Sequence, residues 1–258
     1  MNIAFHKYQG AGNDFILIDN RTGKYSLTTE QIAFLCDRHF GIGADGLMLL
    51  QDSRHTDFEM VYYNADGNES TMCGNGGRCI AAFAAKLGIA SGNMTFTAVD
   101  GTHQAVMQGD IVDLQMQDVE VISFYEDGSV IMNTGSPHLI KWVGDVTKTD
   151  VFKEGRAARN EGRFQPKGIN VNFATLKDGV LLIRTYERGV EDETLACGTG
   201  VTAVAIASVE RQTGSFNIKV KAQGGDLVVA FTKDSATSAK DILLSGPAKF
   251  VFQGTIEL

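Results

Sequence analysis

Two cysteines sit in nearly the same frame. Glu69 to Gly76 reads ESTMCGNG and Glu193 to Gly200 reads ETLACGTG, so Glu, a hydroxyl residue and Cys-Gly-polar-Gly recur at the same internal spacing around Cys73 and Cys197. The spacing argues against several chemistries. A structural zinc site brings Cys-x2-4-Cys pairs, whereas Cys73 and Cys79 have five residues between them and no Cys or His partner stands beside Cys197. No Cys-x-x-Cys redox motif is present, and no lysine follows the glycines as a phosphate loop requires. Neither a metal nor a cofactor is expected.

The frame does offer a thiol at the start of a helix. The N–H groups of Gly74 and Asn75, and of Gly198 and Thr199, would be unsatisfied donors there, suited to a carboxylate. The same position lowers a thiol's pKa. Two thiols and one carboxylate suit α-proton exchange in an amino acid: a thiolate removes the proton from one face, and a thiol returns a proton to the other. The plain alternative is that both cysteines are small buried hydrophobes at helix N-caps. Two matched, glycine-flanked settings favour chemistry. Cys36 and Cys79 lack the glycine frame, fall within predicted helices and read as core.

These cysteines must be positioned by a strand-rich chain. Short β-forming runs such as DFILID, GLMLLQ, FEMVYYN, INVNFATL, GVLLIRTYE and LVVAFT are bounded by Gly, Asn or Asp. Asp66-Gly67, Asp100-Gly101, Asp127-Gly128 and Asp178-Gly179 read as turns. Helices are expected over Thr28 to Arg38, opened by a capping box with Gln31, and over Asp150 to Asn160. Two more, Gly77 to Leu87 and Val201 to Arg211, are apolar nearly all round and so belong inside curved sheets. A cysteine frame followed by a buried helix, occurring twice, implies two similar domains related by a pseudo-two-fold axis. Gly41-x-Gly43-x-x-Gly46 matches a dinucleotide fingerprint but follows a helix and precedes a strand, the reverse of what that motif needs.

Composition is that of a globular protein: 258 residues, 43% hydrophobic and 21% charged, with net charge -8 and pI near 5.1. An acidic chain is a poor partner for nucleic acid or anionic membrane. No apolar run could span a bilayer, and the N-terminus shows no signal-peptide pattern, so a cytoplasmic location is expected.

GAGNDF, FGIGADG, NADGNESTMCGNGGRC, GSPH, GINVNF and YERGVEDETLACGTG together resemble the diaminopimelate epimerase family, over about Gln9 to Gly200. The resemblance implies cofactor-independent interconversion of L,L- and meso-diaminopimelate, on the route to lysine and peptidoglycan. It implies an α+β fold of two domains, each a curved, mostly antiparallel sheet around a buried helix, with the active site in the interdomain cleft. The domains expected are 1–118 plus 249–258, carrying Cys73, and 119–248, carrying Cys197. By resemblance Cys73 and Cys197 are the acid/base pair, and His138 and Glu187 tune them. Gly74, Asn75, Gly198 and Thr199 bind the reacting carboxylate. Asn13, Asn64, Ser136, Asn170 and Arg188 hold the distal end, with Glu187 beside the ammonium. A homodimer acting on a small amino acid follows.

Two positions depart from the family pattern, Gly46 where glutamine is common and Ser136 where asparagine is common; both bear on the distal end. The nearest rival reading is a proline or hydroxyproline racemase, whose histidine and aspartate are replaced here by Asn75 and Ala196. The rival of another class is a thiol redox switch working through a Cys73–Cys197 disulfide.

Overall fold

The strands β2 (Asn13–Asp19) and β3 (Gly46–Gln51) carry continuous buried apolar runs, Phe15 to Ile18 and Leu47 to Leu50, because both their faces are covered there. In the computed structural model, which describes Met1–Leu258, they run parallel and are joined through α1 (Thr29–Cys36). Side chains alternate between faces. Ile16, Ile18, Leu47 and Leu49 pack with Ile32 and Leu35 of α1. Phe15 and Met48 point the other way, onto Gly76 of the helix α2 (Gly74–Lys86). Before β2 lies β1 (Asn2–Gly10), its antiparallel partner. After β3 come β4 (Phe58–Asn64) and the short β5 (Glu69–Ser70), then α2, then β6 (Asn93–Ala98), β7 (Gly101–Gln108) and β8 (Ile111–Gln115). β6 runs parallel to β4, and β7 pairs antiparallel with β6 and with β8.

The same plan is repeated. After β9 (Ile122–Phe124), β10 (Val130–Asn133) pairs antiparallel with β11 (Pro137–Trp142), and α3 (Val151–Arg159) carries the chain to β12 (Asn170–Lys177), parallel to β11. β13 (Val180–Glu187) and β14 (Asp192–Thr194) lead into α4 (Gly198–Ser208). β15 (Gly214–Ala222), parallel to β13, continues to β16 (Gly225–Lys233) and β17 (Lys240–Pro247). Leu139, Val171, Phe173 and Tyr186 pack with Val151 and Ala158 of α3. The last strand, β18 (Lys249–Glu257), pairs antiparallel with β1. The chain forms two compact units, Met1–Leu114 with Gly246–Leu258, and Gln115–Ser245.

Helix bounds differ from expectation in instructive ways. Thr28 caps α1 with the full capping box, but the helix ends at Cys36, not Arg38. Asp37 turns extended and its carboxylate accepts from the N–H groups of His39 and Phe40, at 2.7 and 2.8 Å. α2 and α4 start three residues earlier than their apolar runs suggest, immediately after each cysteine. Glycine is tolerated in these first turns, where there are few helical hydrogen bonds to lose. α4 stops at Ser208, and Glu210 then adopts φ 49°.

Asp178-Gly179 forms the expected hairpin turn, with φ 51° and 76°. Asp100-Gly101 does not: Ala98 pairs with Gly101, so Val99 and Asp100 make the turn. The PHLIKW strand escapes sequence patterning because it opens on proline, which a strand accepts at its first residue.

Beside the first hairpin, buried Lys7 pairs with Asp14 at 2.8 Å and also donates to Gly43 O, while Arg38 bridges Asp14 and Asp45. Burial pushes the Asp14 carboxyl upward, but hydrogen bonds from Arg38 and Lys7 outweigh it and hold it at about 2. Folded Asp14 therefore stays ionised where the unfolded chain takes a proton. The stability it contributes is complete above its ordinary pKa near 3.8 and is lost as pH falls toward 2. Asp14→Asn should cost about 3–5 kcal/mol at neutral pH by leaving Lys7 unpaired. It should also flatten the acid limb between those values, as read by urea unfolding across pH.

Candidate active site

Cys73 leaves β5 in extended conformation, φ -100° and ψ 132°, and is the N-cap of α2. Cys197 leaves β14 at φ -105° and ψ 112° and is the N-cap of α4. Each cysteine carbonyl accepts the first helical hydrogen bond, from Gly77 N at 2.7 Å and from Val201 N at 2.8 Å. The N–H groups of Gly74 to Gly76 and of Gly198 to Gly200 lie in these first helical turns. Both helices are buried along almost their whole length, as their compositions demand.

Around Cys73 the polar groups are oriented by fixed anchors. The β1–β2 hairpin turns through Ala11 at φ 52° and Gly12 at φ 84°, presenting Asn13. Asn13 Nδ2 donates to the Asp45 carboxylate at 2.5 Å, which turns its Oδ1 toward Asn75 Nδ2 (3.4 Å) and Cys73 Sγ (3.7 Å). Beneath them Arg78 is fully buried and donates to Gly74 O at 3.1 Å and Asn75 Oδ1 at 2.8 Å. It fixes the Asn75 amide and the first turn together. Sequence reading passed over Arg78; its signal was a lone arginine in an alanine-rich run. Gly46 lies opposite Asn64 in the β3–β4 register, and a Cβ there would come within 2.6 Å of Tyr62 Cε2. The missing glutamine is thus a matter of space. Asn64 ends β4 in an exposed position.

Around Cys197 the network is denser. His138, fully buried on β11, lies 2.9 Å from both Ser136 Oγ and Thr199 Oγ1, and Thr199 Oγ1 lies 3.4 Å from Cys197 Sγ. Behind the imidazole, Asn172 Nδ2 lies 3.0 Å from His138 Nδ1 and donates to Leu139 O at 3.2 Å, while Thr185 donates to Asn172 Oδ1. Burial pushes His138 down to about 3, so it is neutral at physiological pH. A Cβ on Gly200 would run into Asn172 Oδ1, so the glycine makes room for this contact. Asn170 donates to Ser136 Oγ and Pro137 O and accepts from Arg188 N at 2.9 Å. Glu187 accepts from Thr194 at 3.0 Å. The structure thus groups Ser136, His138, Asn170 and Thr199, and joins Arg188 to them through its backbone. Asn172 and Thr185 were missed; the hint was a pair of asparagines alternating with Val171 and Phe173 on one strand.

The sequence model of the family described as diaminopimelate epimerase matches residues 5–129 and 130–251. A diaminopimelate epimerase of Flavobacterium psychrophilum is 51% identical over 255 residues, covering 97% of this chain and 99% of the relative. The chain belongs to the diaminopimelate epimerase family. Another member, from Chlorobaculum tepidum, is 44% identical over 96% of this chain and 99% of its own. Among solved structures, a PhzF-family phenazine biosynthesis protein of Bacillus anthracis superposes with TM-score 0.79 at 15% identity, over all of both chains. A hydroxyproline epimerase of Agrobacterium vitis superposes with TM-score 0.73 at 15% identity, over 99% of this chain and 92% of that one. At such identities the likeness is one of fold. No helix is long and apolar enough to cross a membrane.

The remaining thiols, Cys36 and Cys79, stand within helices rather than at their N-caps. Burial pushes both Cys36 and Cys79 up to about 12. In the reduced protein, iodoacetamide at about pH 8 should label Cys73 and Cys197 and spare Cys36 and Cys79 until the chain is unfolded. Peptide mass mapping reads the result.

Proposed function

We propose that the protein is an amino-acid epimerase that inverts one α-carbon of diaminopimelate, L,L to meso, by two-base thiol chemistry. The observation that carries the reading is the matched pair of helix starts, each with an extended cysteine N-cap followed by glycine. One cysteine, as thiolate, takes the α-proton. The electron pair moves onto the α-carbon and its carboxylate, where the N–H groups of Gly74, Asn75, Gly198 and Thr199 and the two helix dipoles stabilise the added charge. The other cysteine gives its thiol proton to the opposite face. Thiolate and thiol have then exchanged places, and no electrons are gained or lost.

Asn13, Asn64, Ser136, Asn170 and Arg188 suit the distal end of the substrate, with Arg188 offering a bidentate grip on a carboxylate. Glu187 suits an ammonium group. That distal zwitterion distinguishes diaminopimelate from proline or hydroxyproline. The reading carries with it a cytoplasmic enzyme in lysine and peptidoglycan precursor synthesis, acting as a homodimer.

The test is turnover. Reduced protein given L,L-diaminopimelate without added cofactor should form the meso isomer, and should leave L-proline and trans-4-hydroxy-L-proline unchanged. Cys73→Ala and Cys197→Ala should each lower the rate by about 10²–10⁴-fold or more, the range of a lost acid or base. A normal rate in either variant contradicts the two-base scheme.

A further inference from the structure

His138 has the place of a base beside Cys197, but its hydrogen bonds make it a donor. The Asn172 amide is oriented by Leu139 O, which only accepts and so must face the NH2 group, and by Thr185, which donates to Oδ1. Asn172 Nδ2 therefore donates to His138 Nδ1. A neutral imidazole that accepts at Nδ1 carries its proton at Nε2. That proton faces the hydroxyls of Ser136 and Thr199.

The hydroxyl protons can be followed in the same way. Asn170 Nδ2, itself oriented by Pro137 O and Arg188 N, donates to Ser136 Oγ. Ser136 has Thr199 Oγ1, at 3.1 Å, as the acceptor for its own proton, because His138 Nε2 already holds one. Thr199 Oγ1 then fills both lone pairs, from His138 and Ser136, and its proton is directed to Cys197 Sγ. The reverse order, with the Cys197 thiol donating to Thr199 and Thr199 to Ser136, leaves the Ser136 proton without an acceptor inside the network.

We infer that Asn172, His138 and Thr199 form a one-way hydrogen-bond relay that stabilises Cys197 as the thiolate, and that Cys197 is therefore the proton acceptor in the resting protein. This rests on the acid/base role given to Cys197 above. His138 and Asn172 act through Thr199 and are positioning residues. His138 takes no proton from the thiol; its own proton stays on Nε2 throughout. The charged groups about the network are Arg188, whose guanidinium acts on His138, and Glu187, bonded to Thr194; Glu193 is held by Arg184.

The thiol titration can be isolated. In Cys73→Ala protein, burial holds the Cys36 and Cys79 thiols up at about 12, so the pH dependence of thiol alkylation between about pH 6 and 9 reports Cys197. Thr199→Val in that background should raise the Cys197 pKa by about one unit, a tenfold fall in the thiolate-to-thiol ratio. Thr199→Ser should restore it. In the wild-type chain, long-range nitrogen NMR should show His138 neutral with its proton on Nε2 across pH 5 to 9. An unchanged or lowered Cys197 pKa in Thr199→Val, or a proton on Nδ1 of His138, overturns the relay. If Cys197→Ala keeps full turnover while Thr199→Val still raises the thiol pKa, the proposed function fails and the relay stands. Loss of turnover in Cys197→Ala with no pKa change in Thr199→Val has the opposite meaning.

Discussion

Everything at the candidate site depends on one backbone event: an extended strand stops at a cysteine and the next residue is helical. That change of dihedral angles sets the first-turn N–H groups of a helix directly after a thiol. The glycines that follow make room for Met48 against Gly76 and for Asn172 against Gly200. A helix start of this kind is ordinarily wet and weakly polarising. Here most residues of each helix are buried, its first turn included, and partial charges count for more where less water screens them. The apolar cost of building such a helix is met by the sheets, and the polar cost of burying its first turn by a few fixed side chains.

Those side chains show how burial and orientation are joined. Arg78 is enclosed entirely, yet two of its donors are spent on the first turn of α2 and on the Asn75 amide. Asn172 is enclosed entirely, and each of its polar atoms is committed. A buried polar group that is fully satisfied has one orientation, and it passes that orientation on to its neighbour. Neutral His138 shows the result: its environment sets both its charge and its tautomer. The buried Lys7–Asp14 pair does the same for the hairpin that presents Asn13, since Asp14 and Asp45 share Arg38.

The architecture was open to reading from the chain wherever local pattern and burial agree. The continuous apolar runs of β2 and β3 announce strands covered on both faces, and the capping box at Thr28 announces α1. The repeated cysteine frame pointed to a repeated supersecondary plan, which the two units display strand for strand. The starts of α2 and α4 were misplaced by three residues, because glycine is a poor helix former in the interior yet costs little in a first turn. The site was legible as residue types at fixed spacing, together with the family resemblance. Arg78, Asn172 and Thr185 were not, since a buried polar residue is distinguished from a surface one by contacts distant in sequence. Gly46 shows the same limit: its absent side chain is explained by the ring of Tyr62, two residues along a neighbouring strand from its own partner.

The central claim is that two thiols serve opposite faces of a single α-carbon. It is tested most directly by epimerising L,L-diaminopimelate in deuterium oxide and analysing both isomers at low conversion. A two-base enzyme returns its proton from a thiol in exchange with solvent. The first meso product should therefore carry one deuterium at the inverted carbon, while recovered L,L substrate carries none. Equal deuterium in both isomers from the earliest times would mean that one group serves both faces, and would contradict the account.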